Sequence, residues 1–277
     1  MKFTVLSLFP GIIDAYFANS IMAKALNRGI VEYRSINIRD FALDKHKSCD
    51  DAPYGGGPGM LMLAEPLSRA LEAAGAVKKI IPSIGKEPAE GGTPSTGKNP
   101  REEKGRRPRV LYPSPSGRPF TLKRARELRE EQELILLCGR YEGIDQRIID
   151  VYVDEELSVG DYVLSSGEVA ALVIIDTVYR LLDRVLRPES LEEESFSGGL
   201  LEYPQYTRPE IFDTMQVPEV LITGHHENIR RWRLKKRVEK TLALRPELID
   251  QGLREGLFDA ETVKLIEEGK HERDKSH

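Results

Sequence analysis

Short apolar runs alternate with amphipathic stretches over residues 3–182, and this alternation constrains the fold more than any other feature. Runs of strand length cover 3–8, 31–38, 77–81, 109–112, 134–138 and 151–157. Helical spacing covers 12–28, 64–74, 121–132 and 168–182. Strands that alternate with helices predict an α/β fold with a largely parallel sheet and helices on both of its faces.

Glycine and threonine mark several expected helix ends. Gly29 and Gly75 stand where the helical stretches that precede them should stop. Thr121 stands at the start of another stretch and is expected to cap it, because a threonine hydroxyl accepts a hydrogen bond from a free backbone N–H.

Two polar segments suggest how the chain is divided. Residues 83–108 are rich in Pro, Gly, Lys and Glu, which predicts a disordered insertion between two strands. Residues 183–201 are polar and acidic, which predicts a linker. The pattern after about Pro209 is purely helical. We therefore expect an α/β domain over 1–182, the linker, and a small all-helical domain over 202–277.

Composition excludes several classes of protein. The 277 residues are 40% hydrophobic and 31% charged, which is typical of a globular chain. The apolar run Val169 to Ile175 is far shorter than the ~20 residues that span a bilayer, and no signal peptide fits the N-terminus. Cys49 and Cys138 are far apart in the sequence, which argues against a disulfide framework or a zinc site. We expect a cytoplasmic protein with no membrane partner.

The charge is unevenly distributed. The formal net charge is −4, but residues 222–245 hold eight Lys or Arg and two Glu. Within this stretch, His225 and His226 are adjacent and do not share a helix face, which argues against a metal site. A solvated charged helix is the usual explanation of such a run. The excess of one sign and the only tryptophan, Trp232, favour contact with nucleic-acid phosphates instead.

The stretch from Asp50 to Met60 is the densest in glycine. Residues 53–59 hold four glycines and two prolines, which regular secondary structure does not tolerate. A Walker loop would continue with Gly-Lys-Ser/Thr, and the third glycine of a dinucleotide-binding fingerprint is missing. A tight surface loop is the ordinary interpretation, but so many glycines between ordered elements favour ligand binding.

Three more loops each follow a predicted strand, at residues 112–117, 139–145 and 158–168. The carboxyl ends of parallel strands meet at one edge of a sheet, where α/β proteins usually bind ligands. Each loop alone is explained by an ordinary turn. Their expected convergence on one pocket is what favours a binding site for a planar base.

The loops PYGGGPGM, CGRYEGID and VGDYVLSSGE, followed by SFSGGLLEYPQYTRPE and IRRWRLKKR, closely resemble the bacterial tRNA (guanine-N1)-methyltransferases of the SPOUT superfamily. The resemblance runs from Met1 to about Leu248, apart from 83–108. It implies methyl transfer from S-adenosylmethionine to N1 of the guanosine just 3′ of the tRNA anticodon. It also implies a deep trefoil knot, a homodimer whose active site is shared between its subunits, and Mg²⁺, for which the sequence shows no ligand cluster. We expect no DNA partner.

The resemblance also assigns site residues, motif by motif. Catalysis is assigned to Glu194 and Arg180. Substrate binding is assigned to Asp50, Tyr54, Gly59, Arg208, His226, Arg230, Arg231 and Lys235. Cofactor binding is assigned to Tyr112, Pro113, Pro115, Gly117, Gly139, Tyr141, Glu142, Val159, Gly160, Asp161, Tyr162, Val163, Leu164 and Gly167. Pro115 is expected to pack on the adenine, and Glu142 to lie near the methionine end of the cofactor.

The sequence departs from the family pattern in the catalytic region. Glu194 stands directly before Ser-Phe, where the family has an aspartate, and the linker before it is one residue shorter. Ser166 replaces a usual glycine. A solvated acidic linker is the ordinary interpretation of residues 192–194, and the alternative bases that stay open are Glu192, Glu193 and Glu202.

A carboxylate and a guanidinium suit this reaction. N1 of guanine carries a proton and is a poor nucleophile until a base within hydrogen-bond reach accepts that proton. The negative charge that then appears on O6 is stabilised by a fixed guanidinium. Two other functions stay open: a SPOUT methyltransferase that acts on another RNA, and a non-catalytic RNA- or nucleotide-binding protein that keeps the fold.

Overall fold

The computed structural model describes residues 1–79, 107–187 and 194–274. The chain divides into two compact units, Met1–Val185 and Leu186–His277. The domain boundaries given above stay predictions, as do the roles that the resemblance implies: S-adenosylmethionine binding by the knotted domain 1–182 and tRNA binding by the helical domain 202–277. Of the insertion predicted for 83–108, only the last two residues lie within the described part of the chain.

A five-stranded sheet forms the centre of the first unit. Its neighbouring strands are all parallel, and they run in the order β2-β1-β6-β5-β7. This confirms the predicted α/β class with a largely parallel sheet, whereas the trefoil knot stays a prediction. The strands are β1 (Lys2–Ser7), β2 (Glu32–Asn37), β5 (Arg109–Pro119), β6 (Glu133–Leu137) and β7 (Glu155–Ser158). A separate antiparallel pair consists of β3 (Asp50–Asp51) and β4 (Leu61–Met62).

Helices cover both faces of this sheet. They are α1 (Pro10–Phe17), α2 (Ser20–Asn27), α3 (Ala64–Ala73), α4 (Leu122–Leu128), α5 (Gln146–Tyr152) and α6 (Gly167–Tyr179). Ile135 and Leu137 of β6 belong to the core cluster that includes residues of α3 and α5. The alternate residues Leu134 and Leu136 are fully buried on the opposite face, where α6 contacts the strands. Because both faces are covered, the central strands are apolar without interruption.

Two expected helix signals are confirmed. The Thr121 hydroxyl accepts a hydrogen bond from the Arg124 backbone N–H at 3.3 Å and caps α4. Gly29 and Gly75 follow α2 and α3 with φ of 66° and 88°, the left-handed conformation that a helix stop requires.

Three predicted elements differ from the structure. The expected helix 12–28 is two helices, because the chain breaks before α2 and Ser20 has a φ of 57°. Residues 77–79 of an expected strand are irregular, and residues 80 and 81 lie outside the described part. The residues 151–157, expected to form one strand, are instead divided between the C-terminal end of α5 and the start of β7. Asp145 caps the N-terminus of α5. An apolar run of this length does not distinguish a helix from a strand.

The second unit is mainly helical. Its helices are α7 (His226–Leu244), α8 (Pro246–Glu255) and α9 (Ala260–Asp274). Val238, Leu242, Ile249 and Ile266 form their common core with Leu200. The unit also contains a hairpin of two short strands, β8 (Ile211–Phe212) and β9 (Met215–Gln216), so the expectation of an all-helical domain was wrong. Strands of two residues are too short to leave a periodic pattern.

Candidate active site

Residues of the predicted loops 112–117, 139–145 and 158–168 line one cavity of about 270 Å³ in the first unit. The first of these segments is a bulge within β5, and the other two follow β6 and β7. The cavity lies at the carboxyl edge of the parallel sheet, as expected of an α/β fold. Most residues assigned to the cofactor line it: Tyr112, Pro113, Pro115, Gly139, Tyr141, Glu142, Val159, Gly160, Tyr162, Val163, Leu164 and Gly167. Gly117 and Asp161 are not among its lining residues.

The start of α6 lies directly against the end of β6. The Gly167 backbone N–H donates to the Gly139 carbonyl at 2.9 Å. A Cβ on Gly167 would come within 2.7 Å of the Gly139 backbone nitrogen and 3.0 Å of the Cys138 Cα. Only glycine allows two backbone segments to approach so closely. This contact fixes the wall of the cavity where the second and third loops meet.

Tyr112 forms part of the cavity lining and is itself buried. A Cβ on Gly139 would lie 2.8 Å from the Tyr112 hydroxyl oxygen. The lack of a side chain at Gly139 therefore leaves room for the tyrosine ring. Burial, and then the charge of Glu156, raises the pKa of Tyr112 to about 12. The phenol is protonated at neutral pH, as an ordinary tyrosine is, and burial extends that range to higher pH.

Gly117 is placed in the sheet rather than in the cavity wall. The register between β5 and β7 shifts between Pro113 and Arg118, so residues 114–117 bulge from the strand. A Cβ on Gly117 would lie 2.5 Å from the Glu156 carbonyl carbon and the Leu157 nitrogen. Gly117 therefore allows the bulge that turns Pro115 towards the cavity, and it need not contact a ligand itself.

The third loop presents apolar side chains at the cavity mouth. Tyr162, Val163 and Leu164 are all exposed, although their side chains are apolar or aromatic. Tyr162 folds back on its own loop, with its hydroxyl donating to the Val159 carbonyl at 3.2 Å. Exposed apolar groups beside a cavity are typical of a surface that a ligand covers.

Arg140 connects the second loop to the third; it lies within a loop predicted to hold the cofactor, but it was given no role of its own. Its guanidinium donates to the Ser165 carbonyl at 3.0 Å and lies 4.4 Å from the centre of the Phe9 ring. The sequence does contain a signal for it, because Arg140 stands within the CGRYEGID loop. Arg140 thus holds together two walls of the cavity.

The glycine-rich loop joins β3 to β4 and contacts the second cavity loop. Gly55, Gly56, Gly57 and Gly59 all have positive φ, between 75° and 126°, which explains the density of glycine. Tyr54 at its tip is fully exposed. The chain then returns to the cavity, where the Glu142 N–H donates to the Met60 carbonyl and the Met62 N–H to the Gly143 carbonyl, both at 3.0 Å.

Gly59 contacts the Glu142 side chain closely. A Cβ on Gly59 would come within 2.3 Å of the Glu142 Cγ. Nearby, burial and then a hydrogen bond with Asp50 raise the pKa of the Tyr141 hydroxyl. Two residues assigned to the substrate, Asp50 and Gly59, therefore contact two residues assigned to the cofactor.

A buried carboxyl group stands at the start of α6. The Ser7 hydroxyl donates to Glu168 Oε1 at 2.6 Å and accepts from the Phe9 N–H at 2.7 Å. Glu168 is completely buried, and its second oxygen has no hydrogen-bond partner within the described residues. This pair connects the end of β1 to α6, and sequence reasoning missed it because the two residues are far apart in the chain.

Arg180 follows the last turn of α6 and is half-buried. Its backbone N–H donates to the Asp176 carbonyl at 3.4 Å. The Asp176 carboxylate accepts a hydrogen bond from the Tyr16 hydroxyl of α1, and burial together with this bond raises the pKa of Tyr16. The contact with α1 therefore fixes the turn from which Arg180 extends.

Glu194 lies in a tight turn of the second unit. Its carbonyl accepts a hydrogen bond from the Ser197 N–H at 3.1 Å, and Phe196 has a φ of 72°. The Ser195 hydroxyl accepts from the Glu202 N–H at 3.1 Å, so this alternative base lies near the same turn. The other two alternatives, Glu192 and Glu193, lie outside the described residues.

The basic residues assigned to tRNA on α7 are paired with carboxylates. Arg230 donates to Glu227 at 2.9 Å and to Glu261 of α9 at 2.7 Å. Arg231 shares Glu227 at 3.0 Å, and Lys235 lies 3.8 Å from Glu239. Arg208 and His226, the remaining two, are exposed.

The described residues contain neither a cluster of metal-ligating side chains nor a membrane-spanning helix. No group of three or more His, Cys, Asp or Glu side chains is placed to hold a metal ion there. We therefore assign no ligands to Mg²⁺ and derive no step through it. No helix in the same part of the chain is long and apolar enough to cross a membrane.

Comparison with known proteins identifies the family. The model of the family "tRNA (Guanine-1)-methyltransferase TrmD" matches residues 1–89 and 96–251. The chain belongs to this family. The tRNA (guanine-N(1)-)-methyltransferase of Treponema denticola is 55% identical over 272 residues, 98% of this chain and 100% of the relative. Those of Treponema pallidum and Borreliella burgdorferi are 50% and 53% identical over 268 and 250 residues, which cover 97% and 90% of this chain and 96% and 92% of the relatives.

Membership in the tRNA (guanine-1)-methyltransferase family confirms the resemblance seen in the loops. The match to the family model also shows which part of the predicted insertion 83–108 the family lacks. Between its two matched ranges, the family model leaves out only residues 90–95. Most of 83–108 is therefore matched by the family rather than inserted into it.

Gly167→Ala should weaken S-adenosylmethionine binding at least tenfold, because its Cβ must separate the start of α6 from the Gly139 backbone. Isothermal titration calorimetry checks this. Gly11→Ala is the control, since a Cβ at Gly11 meets nothing within 4 Å. Equal cofactor affinities for the two variants would contradict the importance of the contact.

Gly59→Ala should lower the rate of methyl transfer more than Gly55→Ala does. The two glycines have φ of 86° and 87°, so both substitutions carry the same backbone strain. Only the Cβ at position 59 displaces Glu142, because nothing lies within 4 Å of Gly55. Steady-state kinetics of tRNA methylation measures the difference, and similar losses in both variants would assign the effect to strain alone.

Proposed function

We propose that this protein transfers the methyl group of S-adenosylmethionine to N1 of guanosine 37, immediately 3′ of the tRNA anticodon. The single observation that supports this most is the meeting of three loops, each carrying a family motif, around one cavity. In this proposal the cofactor binds in the cavity, with its adenine packed on Pro115 and between the apolar side chains of the third loop. Backbone amides of the loops would hold the polar edge of the base.

The proposed mechanism needs one base and one electrostatic partner. S-adenosylmethionine supplies an electrophilic methyl group when it is bound. Glu194 accepts the proton of guanine N1, the new bond forms between N1 and the methyl carbon, and the carbon–sulfur bond breaks to leave S-adenosylhomocysteine. Arg180 stabilises the charge that develops on O6. The cavity loops hold the methyl group in line with N1, which is a positioning task.

The glycine-rich loop is proposed to hold the target guanine. Asp50, Tyr54 and Gly59 belong to it or to its first strand. Its hydrogen bonds to the second cavity loop support this role, because a loop fixed to the cofactor site can present a base at a constant distance from the cofactor. The exposed ring of Tyr54 offers a face on which a base can stack.

The homodimer is proposed to form through an apolar surface of α1 and α6. Phe9 and Ile12 at the start of α1 are exposed, as are Val169 and Val173 on one side of α6. The two helices contact each other through Tyr16 and Asp176. Adjacent exposed apolar side chains are typical of an interface between subunits. The sharing of one active site between two subunits belongs to the same proposal.

The tRNA is proposed to contact the basic side of α7 through Arg230, Arg231 and Lys235, with Arg208 and His226. These cations are exposed and their ion pairs are on the surface, where such pairs contribute little. A phosphate can therefore replace Glu227 or Glu239 at small cost. A tRNA substrate, together with free buried Cys49 and Cys138, supports action in the cytoplasm, and the family needs no DNA partner.

Two other functions predict different results from those of the proposed enzyme. A methyltransferase for another RNA would leave tRNA unmodified but bind the cofactor. A non-catalytic binding protein would bind cofactor or RNA without transferring a methyl group. Mass spectrometry of tRNA incubated with protein and S-adenosylmethionine separates the three, because only the proposed enzyme yields N1-methylguanosine next to the anticodon.

Glu194→Gln should lower the methylation rate by at least 10²-fold, because an amide cannot accept the N1 proton. Its affinity for S-adenosylmethionine should stay within twofold of the original. Single-turnover kinetics and calorimetry measure the two effects. Glu202→Gln is the control from the same turn, and a larger loss in that variant would transfer the role of base to Glu202.

Lys235→Ala should weaken tRNA binding and lower the slope of log K against log salt by about one, since one phosphate contact is lost. Lys264→Ala is a closely matched control. Both lysines lie four residues before a glutamate on a helix of the second unit, with ion-pair distances of 3.8 and 3.9 Å. Identical salt slopes for the two variants would show that α7 does not meet the phosphates.

A further inference from the structure

The first unit contains a second cavity, of about 220 Å³, which shares no lining residue with the candidate cofactor cavity. Three basic residues line it: Lys24 of α2, Arg28 directly after α2, and Arg184 after α6. The other lining residues are aliphatic, and no acidic residue is among them. The charge at this cavity is therefore of one sign.

Helix electrostatics explain only part of this cluster. Lys24 and Arg28 stand at the C-terminal end of α2, where cations are favourable beside the helix dipole. Arg184 lies far from α2 in the sequence, so the dipole of α2 does not explain its position at the cavity. Its φ is 68°, a left-handed conformation that is unfavourable for a residue with a Cβ. The structure thus brings a third cation to the cavity through a strained backbone.

The three cations have no protein partner among the residues that the structure describes. Their side chains form neither an ion pair nor a hydrogen bond with any of those residues, although basic residues elsewhere in the unit, such as Arg107 and Arg124, do. Like charges gathered in this way repel one another. An anion between them would replace that repulsion with attraction.

The size of the cavity fits a phosphate group. Its volume is several times the ~30 Å³ that a water molecule occupies in the liquid. Arginine binds phosphate oxygens in pairs through its planar guanidinium, and lysine adds a mobile charge. Because Lys24, Arg28 and Arg184 are exposed, the group can belong to a large molecule.

We propose that Lys24, Arg28 and Arg184 form a binding site for one backbone phosphate of the tRNA. The inference rests on the proposed function, which provides the polynucleotide. It adds to the α7 residues a contact made by the first unit of the protein. A free phosphate ion shares the same chemistry, and the experiment separates these two sources.

The first test is a double variant, Lys24→Gln with Arg28→Gln. Fluorescence anisotropy of labelled tRNA over a range of salt concentrations should give a slope reduced by about one. The control is Lys123→Gln with Arg126→Gln on α4, which removes two exposed cations of the same unit. The control should keep the original slope, and both variants should bind S-adenosylmethionine with unchanged affinity.

The second test is Arg184→Gly, which removes the guanidinium and suits the left-handed backbone. We expect the same reduction in salt slope, with a thermal unfolding midpoint that is unchanged or higher. A purely structural Arg184 would leave the salt slope unchanged. Because the variant relieves strain, loss of folding does not obscure the result.

The third test is competition between tRNA and inorganic phosphate, which is added at constant ionic strength. If it binds in competition with tRNA in the original protein but not in the double variant, the site accepts a tRNA phosphate. An unchanged tRNA salt slope in the variants overturns the proposal, even if inorganic phosphate binds. Methylation of tRNA by the original protein is measured separately. No methylation would contradict the proposed function, whereas the salt slopes test the phosphate site independently of it.

Discussion

The candidate cofactor cavity depends on one backbone contact, that of Gly167 with Gly139 and Cys138. It sets how closely α6 approaches the end of β6, where the second loop begins and the third loop ends. Gly117 has a similar role at the neighbouring strand, where it lets β5 bulge against β7. The site is therefore shaped mainly by close backbone approach. Side chains such as Tyr112 and Arg140 then fill and connect walls whose positions are already fixed.

The same arrangement connects cofactor binding to the binding of the target base. Glu142 lines the cavity, hydrogen-bonds through its N–H to Met60 and fills the space beside Gly59. Glu142 is therefore the residue of the cofactor cavity that lies directly beside the backbone of the glycine-rich loop. The four glycines of that loop adopt positive φ without strain, so the loop keeps its tight course at no steric cost. The hydrogen bonds from the Glu142 N–H to Met60 and from the Met62 N–H of β4 to Gly143 fix the end of this loop against the second cavity loop.

Much of the fold and of the candidate site could be predicted from the sequence, because both depend on local sequence patterns and on the geometry of parallel sheets. The strands, the glycine stops and the Thr121 cap are local, and the meeting of the loops follows from parallel strands. Contacts between distant residues could not be found in this way. The Ser7–Glu168 bond, the place of Gly117 in the sheet and the pairing of Arg230 with Glu261 each join segments that no periodic pattern relates. The break before Ser20 was missed because both helices bury the same kind of apolar residue at similar spacing.

The distribution of charge explains how an acidic protein can bind a polyanion. With a net charge of −4, the protein as a whole repels a polyanion at long range, so binding must come from local cations within a Debye length of about 8–10 Å. The two basic surfaces differ in what a phosphate must displace. On α7 it competes with Glu227, Glu239 and Glu261, whose surface ion pairs cost little to replace. At Lys24, Arg28 and Arg184 it displaces no carboxylate of the described residues, so that site contributes affinity through counterion release.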